Sequence, residues 1–150
     1  MVDVANVMGA RADGWWRDRA GAAARLCREI AALAGRGIGA DQAERSFPSY
    51  VLVLEGQARA AAGMIENETI ENETINNEMI DNVPTRVRVL SAAGSGDDTI
   101  VEVVAEIVEI LAAATEDASC LVVTADRELR QRCAALGAAV AGPGWLLALL

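Results

Sequence analysis

Short apolar runs of strand composition alternate along this chain with segments of helical periodicity, and that alternation constrains the fold more than any other feature. Tyr50 to Leu54, Arg86 to Leu90, Cys120 to Thr124 and Ala138 to Ala141 read as strands, and Met1 to Val4 reads as the end of another. Trp16, Ala20, Ala23, Cys27 and Ile30 recur at spacings of four and three, which predicts a helix over Gly14 to Leu33, broken by Gly35 and Gly37. On this stripe Trp16 is expected in the core, leaving Trp15 as the exposed ring able to stack on a base. A second helix follows Gly96, with Ile100, Val103, Val104, Ile107, Val108 and Leu111 on its buried side and Glu102, Glu106 and Glu109 opposite. Arg127 to Leu136 predicts a third, and Pro143 suits the first turn of a terminal helix through Leu150. The class expected is α/β: a three-layer α/β/α sandwich around a central, mostly parallel sheet of about four or five strands. The 150 residues are read as one domain, 1–150, large enough for a core without disulfide staples.

One stretch does not fit the alternation. Residues 64–83 repeat with period five, as Met-Ile-Glu-Asn-Glu, Thr-Ile-Glu-Asn-Glu, Thr-Ile-Asn-Asn-Glu and Met-Ile-Asp-Asn-Val. That period matches neither helix nor strand, so no single face gathers Ile65, Ile70, Ile75 and Ile80. The expectation is an acidic low-complexity insertion, with a helical or hairpin excursion left open.

Composition narrows the chemistry. The chain has no His and its 13 basic residues are all Arg, which excludes imidazole bases, Ser-His-Asp triads, His-bound zinc, Schiff-base lysines and a Walker-type phosphate loop. Carboxylates are left to do acid–base work and to hold metal. Cys27, Cys120 and Cys133 are widely spaced and sit in apolar runs, so they read as reduced core residues. No apolar leader opens the sequence and no run is long enough to span a bilayer, so a soluble cytoplasmic protein with no membrane association is expected. The net charge of −9 argues against a polyanion partner, but residues 64–83 carry −6 of it.

Acids recur at the ends of the strand-like runs: Asp3 with Asn6, Glu55 before Gly56, Asp97 and Asp98 after Gly96, and Asp126 after Thr124. In a parallel sheet the carboxyl ends of strands share one edge, so these groups converge in space. Each also has an ordinary reading, since Asp and Asn cap helices and favour their positive ends. Their coincidence at four successive strand ends exceeds what capping needs, and like charges held together call for a cation. Glu102 falls one turn beyond Asp98 and could address the same ion. Arg11, Arg17, Arg19, Arg59, Arg127 and Arg130, with Thr124, are candidate phosphate contacts.

In these motifs the chain resembles the NYN branch of the PIN-like nucleases, particularly small bacterial YacP-like proteins. The matching elements are Asp3-x-x-Asn6, Glu55-Gly56, Gly96-Asp97-Asp98-x-Ile100 and Thr124-x-Asp126. The resemblance implies a PIN-like sheet and hydrolysis of RNA with Mg²⁺ or Mn²⁺. It also implies Asp3, Asp98 and Asp126 as metal ligands, Asp97 and Glu55 as assisting acids, and Asn6 as an orienting group. Two other readings stay open. One is a PIN-like module without nuclease activity that binds RNA or protein, with a homodimer admissible. The other is a nucleotide pyrophosphohydrolase built on Glu106-x-x-Glu109, which would require an all-helical architecture.

Overall fold

The computed structural model describes residues 1–39, 45–71, 86–113 and 118–150. Five strands form one sheet: β1 (Val2–Asp3), β2 (Tyr50–Leu54), β3 (Val87–Ser91), β4 (Leu121–Val123) and β5 (Ala139–Ala141). All pairings are parallel and the order is β3-β2-β1-β4-β5. The register sets Val2 opposite Leu52 on one side and Val123 on the other, so the two-residue β1 is the central strand. The helices are α1 (Val4–Gly9), α2 (Arg19–Arg36), α3 (Ala60–Glu71), α4 (Gly96–Ala113), α5 (Arg127–Ala135) and α6 (Pro143–Leu147).

Period-two alternation divides the sheet residues between two cores. Tyr50, Leu52 and Leu54 of β2, with Val2 and Val123, pack against Val4 and Val7 of α1, against Leu26, Ile30 and Leu33 of α2, and against Leu146 of α6. Val53, Met1, Val122 and Cys120 face the other way, onto Ile100 and Val104 of α4 and Leu129 and Cys133 of α5. Each fully buried Leu or Ile contributes about 1.5–3 kcal/mol, so both layers are held mainly by these stripes. The result is the expected α/β/α sandwich. Among the described residues no helix is long and apolar enough to cross a membrane.

Several expectations need adjusting. The helix expected from Gly14 begins instead at Arg19, after a 3₁₀ turn at Trp15–Arg17. Asp18 interrupts the backbone at φ −147° and caps α2 by accepting from the Gly21 amide at 2.8 Å. The break shifts the helical phase, so the two tryptophans exchange places: Trp16 is 57% exposed, whereas Trp15 packs partly against the core. At its other end α2 runs through Gly35 and stops at Gly37, whose φ of 72° is costly for any other residue. Residues 64–71 of the expected loop are helical, forming the last two thirds of α3, and Ile65 packs partly on the core. Residues 72–83 lie outside the described residues. All three cysteines are buried and free, and burial pushes the Cys27 thiol up to about 11, far from thiolate chemistry.

Candidate functional site

The connections leave β1 toward β2 and β3 on one side and toward β4 and β5 on the other, which makes the carboxyl ends of β1 and β4 a topological switch point. Asp3 ends β1 there and is only 4% exposed. A buried carboxylate needs donors, and Asp3 has three. Its Oδ1 accepts from the Asn6 amide at 3.1 Å, and its Oδ2 accepts from Asn6 Nδ2 at 2.7 Å and from the Thr124 hydroxyl at 2.8 Å. Thr124, fully buried just past β4, accepts in turn from the Asp126 amide at 3.1 Å. Asp126 then caps α5, its Oδ1 taking the Leu129 amide at 2.8 Å. The capping role is therefore real for both Asp3 and Asp126, and it leaves Asp126 Oδ2 without a hydrogen bond among the described residues.

Glu55 follows β2, and its Oε2 accepts from the Gly96 amide, the first of α4, at 3.0 Å. A Cβ on Gly96 would lie 2.5 Å from that same oxygen, so only glycine lets the helix start this close to the strand end. This abutment fixes the rotation of α4. Asp97, one residue on, lies within the field of Asp126, Asp3 and Glu55; partial burial first, then these three charges, hold its carboxyl above the usual carboxylate range. Among the described residues nothing hydrogen-bonds to it.

Asp98, turned about 100° further round the helix, goes elsewhere. Its side chain is 63% exposed and accepts from Arg132 of α5 at 2.7 Å. The structure thus brings Asp3, Glu55, Asp97 and Asp126 toward one another and sets Asp98 at the rim, with Arg132 between it and α5. Glu102, Glu106 and Glu109 are exposed on the outer side of α4, and the α/β architecture is not the helical one a pyrophosphohydrolase reading requires.

The candidate arginines differ in what occupies them. Arg59 donates to the carbonyls of Gly56 at 3.2 Å and Ala92 at 3.3 Å, tying together the loops after β2 and β3. Arg11 is ion-paired with Glu29. Arg127 is exposed in the first turn of α5, and Arg19 lies 5.5 Å over the Trp15 ring. Sequence reasoning did not single out Arg132, nor an open groove of about 390 Å³ lined by Ala5, Asn6, Gly9, Ala10 and Ala125. The groove-forming residues are the small positions inside the Asp3-x-x-Asn6 and Thr124-x-Asp126 motifs and just after them. Arg132 had no signal beyond its place on α5.

The donor set is all oxygen, as Mg²⁺ and Mn²⁺ require. Asp97, Asp126 and Glu55 each keep at least one oxygen free of hydrogen bonds among the described residues. Yet no group of three or more acidic or cysteine side chains among those residues is arranged to hold a metal ion. The acids interact through charge rather than through a shared ligand sphere. Mg²⁺ commonly retains several waters and binds through one or two carboxylates together with a substrate phosphate, so this charge cluster fits it without a closed protein cage. No protein-family model, curated protein or solved structure matches this chain.

Proposed function

We propose that the chain is a divalent-metal-dependent hydrolase of RNA phosphodiester bonds, working at the carboxyl edge around Asp3, Asp97, Asp126 and Glu55. The observation that supports it is the convergence of Asp126, Asp3 and Glu55 on Asp97, whose carboxyl partial burial raises first and these acids raise further, with Arg132 alone among the described residues opposing them. Unneutralised like charge of this kind is costly to a fold and is relieved by a cation. RNA as the substrate, and a cytoplasmic setting, come from the motif resemblance and the composition.

Asp97 and Asp126, with oxygens free of other bonds, would hold the ion from the starts of α4 and α5. Asp3 supplies a fixed negative charge beneath them, locked by Thr124 and Asn6 so that it cannot swing away. Glu55, anchored to the Gly96 amide through one oxygen, keeps the other free to accept a proton from an attacking water. A bound Mg²⁺ or Mn²⁺ supplies Lewis-acid polarisation of the phosphate and a more acidic water. In this assignment Asp97 takes the ligand place that the resemblance gives to Asp98, because Asp98 is engaged by Arg132.

A second reading, an interaction module without hydrolysis, draws on that same Arg132–Asp98 pair, which sets a protein cation beside the acids. Cleavage of a labelled structured RNA separates the two. With Mn²⁺, wild type should cleave; with EDTA, or in Asp97→Asn or Asp126→Asn, cleavage should be lost. A folded protein that leaves the RNA intact in Mn²⁺ selects the interaction module.

A further inference from the structure

We infer that the groove beside the carboxylates and the tryptophan pair at its far end form one track for single-stranded nucleic acid, with a base stacked on Trp16 and the flanking phosphates met by Arg17 and Arg19. The inference rests on the hydrolase reading for what lies at its near end, and deepens it by naming the form of substrate.

The parts of the track are neighbours in space. At one end the groove is lined by Asn6, whose side chain is bonded to Asp3, and by Ala125, the residue between Thr124 and Asp126. At the other it is lined by Gly9, and a Cβ placed there would sit 3.9 Å from Cζ2 of Trp15. The Trp15 ring therefore borders the groove where α1 ends. Trp16 adjoins that ring, its centroid 6.2 Å from that of Trp15 and the two planes at 85°.

Trp16 has no role in the core: it is 57% exposed, and the break at Asp18 is what turns it outward. Trp15 is half-buried and carries Arg19 over its ring, so the free aromatic surface belongs to Trp16. An exposed indole beside a phosphate-facing site offers a stacking platform to an unpaired base, a surface that a duplex keeps covered. The side chains lining the groove are small, so a strand can lie in it without displacing the fold.

Charge agrees with this occupant. The chain carries −9 overall, yet residues 11–28 hold five arginines against two aspartates. Arg11 is neutralised by Glu29, whereas Arg17 and Arg19 are exposed on either side of the Asp18 break, next to Trp16. A locally basic, aromatic surface in an otherwise acidic protein selects a polyanion with unpaired bases.

The test is fluorescence anisotropy of a labelled single-stranded RNA of about ten nucleotides, in EDTA so that no hydrolysis intervenes. Wild type is compared with Trp16→Ala, Trp16→Phe and Arg17→Ala, each checked for an unchanged circular dichroism spectrum. Trp16→Ala should weaken binding about tenfold and Trp16→Phe should restore most of it, because the loss is one of stacking. Arg17→Ala should lower the salt slope by about one. A self-complementary duplex of the same length should compete poorly.

Binding by Trp16→Ala within about twofold of wild type overturns the track, as does equal competition by the duplex or no binding by folded wild type. In that last case Trp16 is left as a protein contact. Cleavage is read separately in Mn²⁺: Trp16-dependent binding without cleavage overturns the hydrolase reading and leaves the track standing, whereas cleavage with no dependence of binding on Trp16 does the reverse.

Discussion

Asp3 and Asp97 lie at the same edge of one sheet, but the β1–β4 junction and the start of α4 treat their carboxylates in opposite ways. At the junction, Asp3 is buried and receives three hydrogen bonds from Asn6 and Thr124, and Thr124 passes the connection on to Asp126. At the start of α4, Asp97 is half-exposed and has no donor among the described residues, and its carboxyl is raised first by partial burial and then by the field of three other acids. One carboxylate belongs to the fold as well as to the site. The other carries charge that its surroundings oppose, with Arg132 as its counterweight among the described residues.

The sharpest way to break this contrast is to delete both side chains. Asp3→Ala strands the buried Thr124 hydroxyl and takes the acceptor from the half-buried Asn6 amide groups, and the loss expected is roughly 2–3 kcal/mol, read as a lower urea midpoint at unchanged slope. Asp97→Ala should not lower the midpoint. If Asp3→Ala leaves the midpoint unchanged, the junction is not the structural element described here. Thr124→Val should fall between them, at about 1–2 kcal/mol, because it removes the donor to Asp3 and the acceptor for the Asp126 amide while keeping the volume.

The contrast also marks how far the sequence could be read. Tyr50–Leu54 was legible as a strand to the residue, since an apolar β-branched run bounded by Ser49 and Glu55-Gly56 has one reading. The layer order followed from the alternation, and the acidic edge from the strand ends. The choice between Asp97 and Asp98 was not legible, because neighbouring helical positions diverge by about 100° and the phase is set by the contact of Gly96 with Glu55, two segments far apart in sequence. The Trp15–Trp16 exchange was hidden for a similar reason, as Asp18 looks like any helical Asp until its backbone is seen. The groove was invisible because Ala5, Gly9, Ala10 and Ala125 carry no functional group, and α1 because it is only six residues long and its first, Val4, reads as strand.

A smaller effect of opposite sign tests the charge argument. Asp97→Asn keeps the shape and removes one of the converging charges, so without metal it should stabilise the protein by a few tenths of a kcal/mol at neutral pH, a value held down by solvent screening. Mn²⁺ should raise the melting temperature of wild type and leave the variant unchanged. The pH dependence has a definite direction. The raised Asp97 carboxyl binds its proton more readily when folded, so ionising it disfavours the folded state, and wild type loses stability relative to Asp97→Asn as pH rises through that carboxyl's folded value. Below the ordinary aspartate range the two proteins should converge. A constant gap across the titration would mean that folding does not raise the Asp97 carboxyl at all.

The smallest effect is expected at Asp98, and for that reason it discriminates best between the two aspartates. Its carboxylate is 63% exposed and meets Arg132 in solvent, where an ion pair contributes little to stability and salt screens what remains. Asp98→Asn should therefore melt with wild type and retain the Mn²⁺ shift. It should also retain the metal-dependent cleavage that Asp97→Asn loses. Arg132→Ala sharpens the comparison, since it frees Asp98 and removes the one nearby cation that lowers the Asp97 carboxyl. If Asp97 is the ligand, Arg132→Ala should strengthen the Mn²⁺ shift, and adding Asp98→Asn to it should change nothing further. If the shift instead disappears in Asp98→Asn and survives in Asp97→Asn, then Asp98 leaves Arg132 for the metal, and the apo orientation of the first turn of α4 is a resting arrangement rather than the working one.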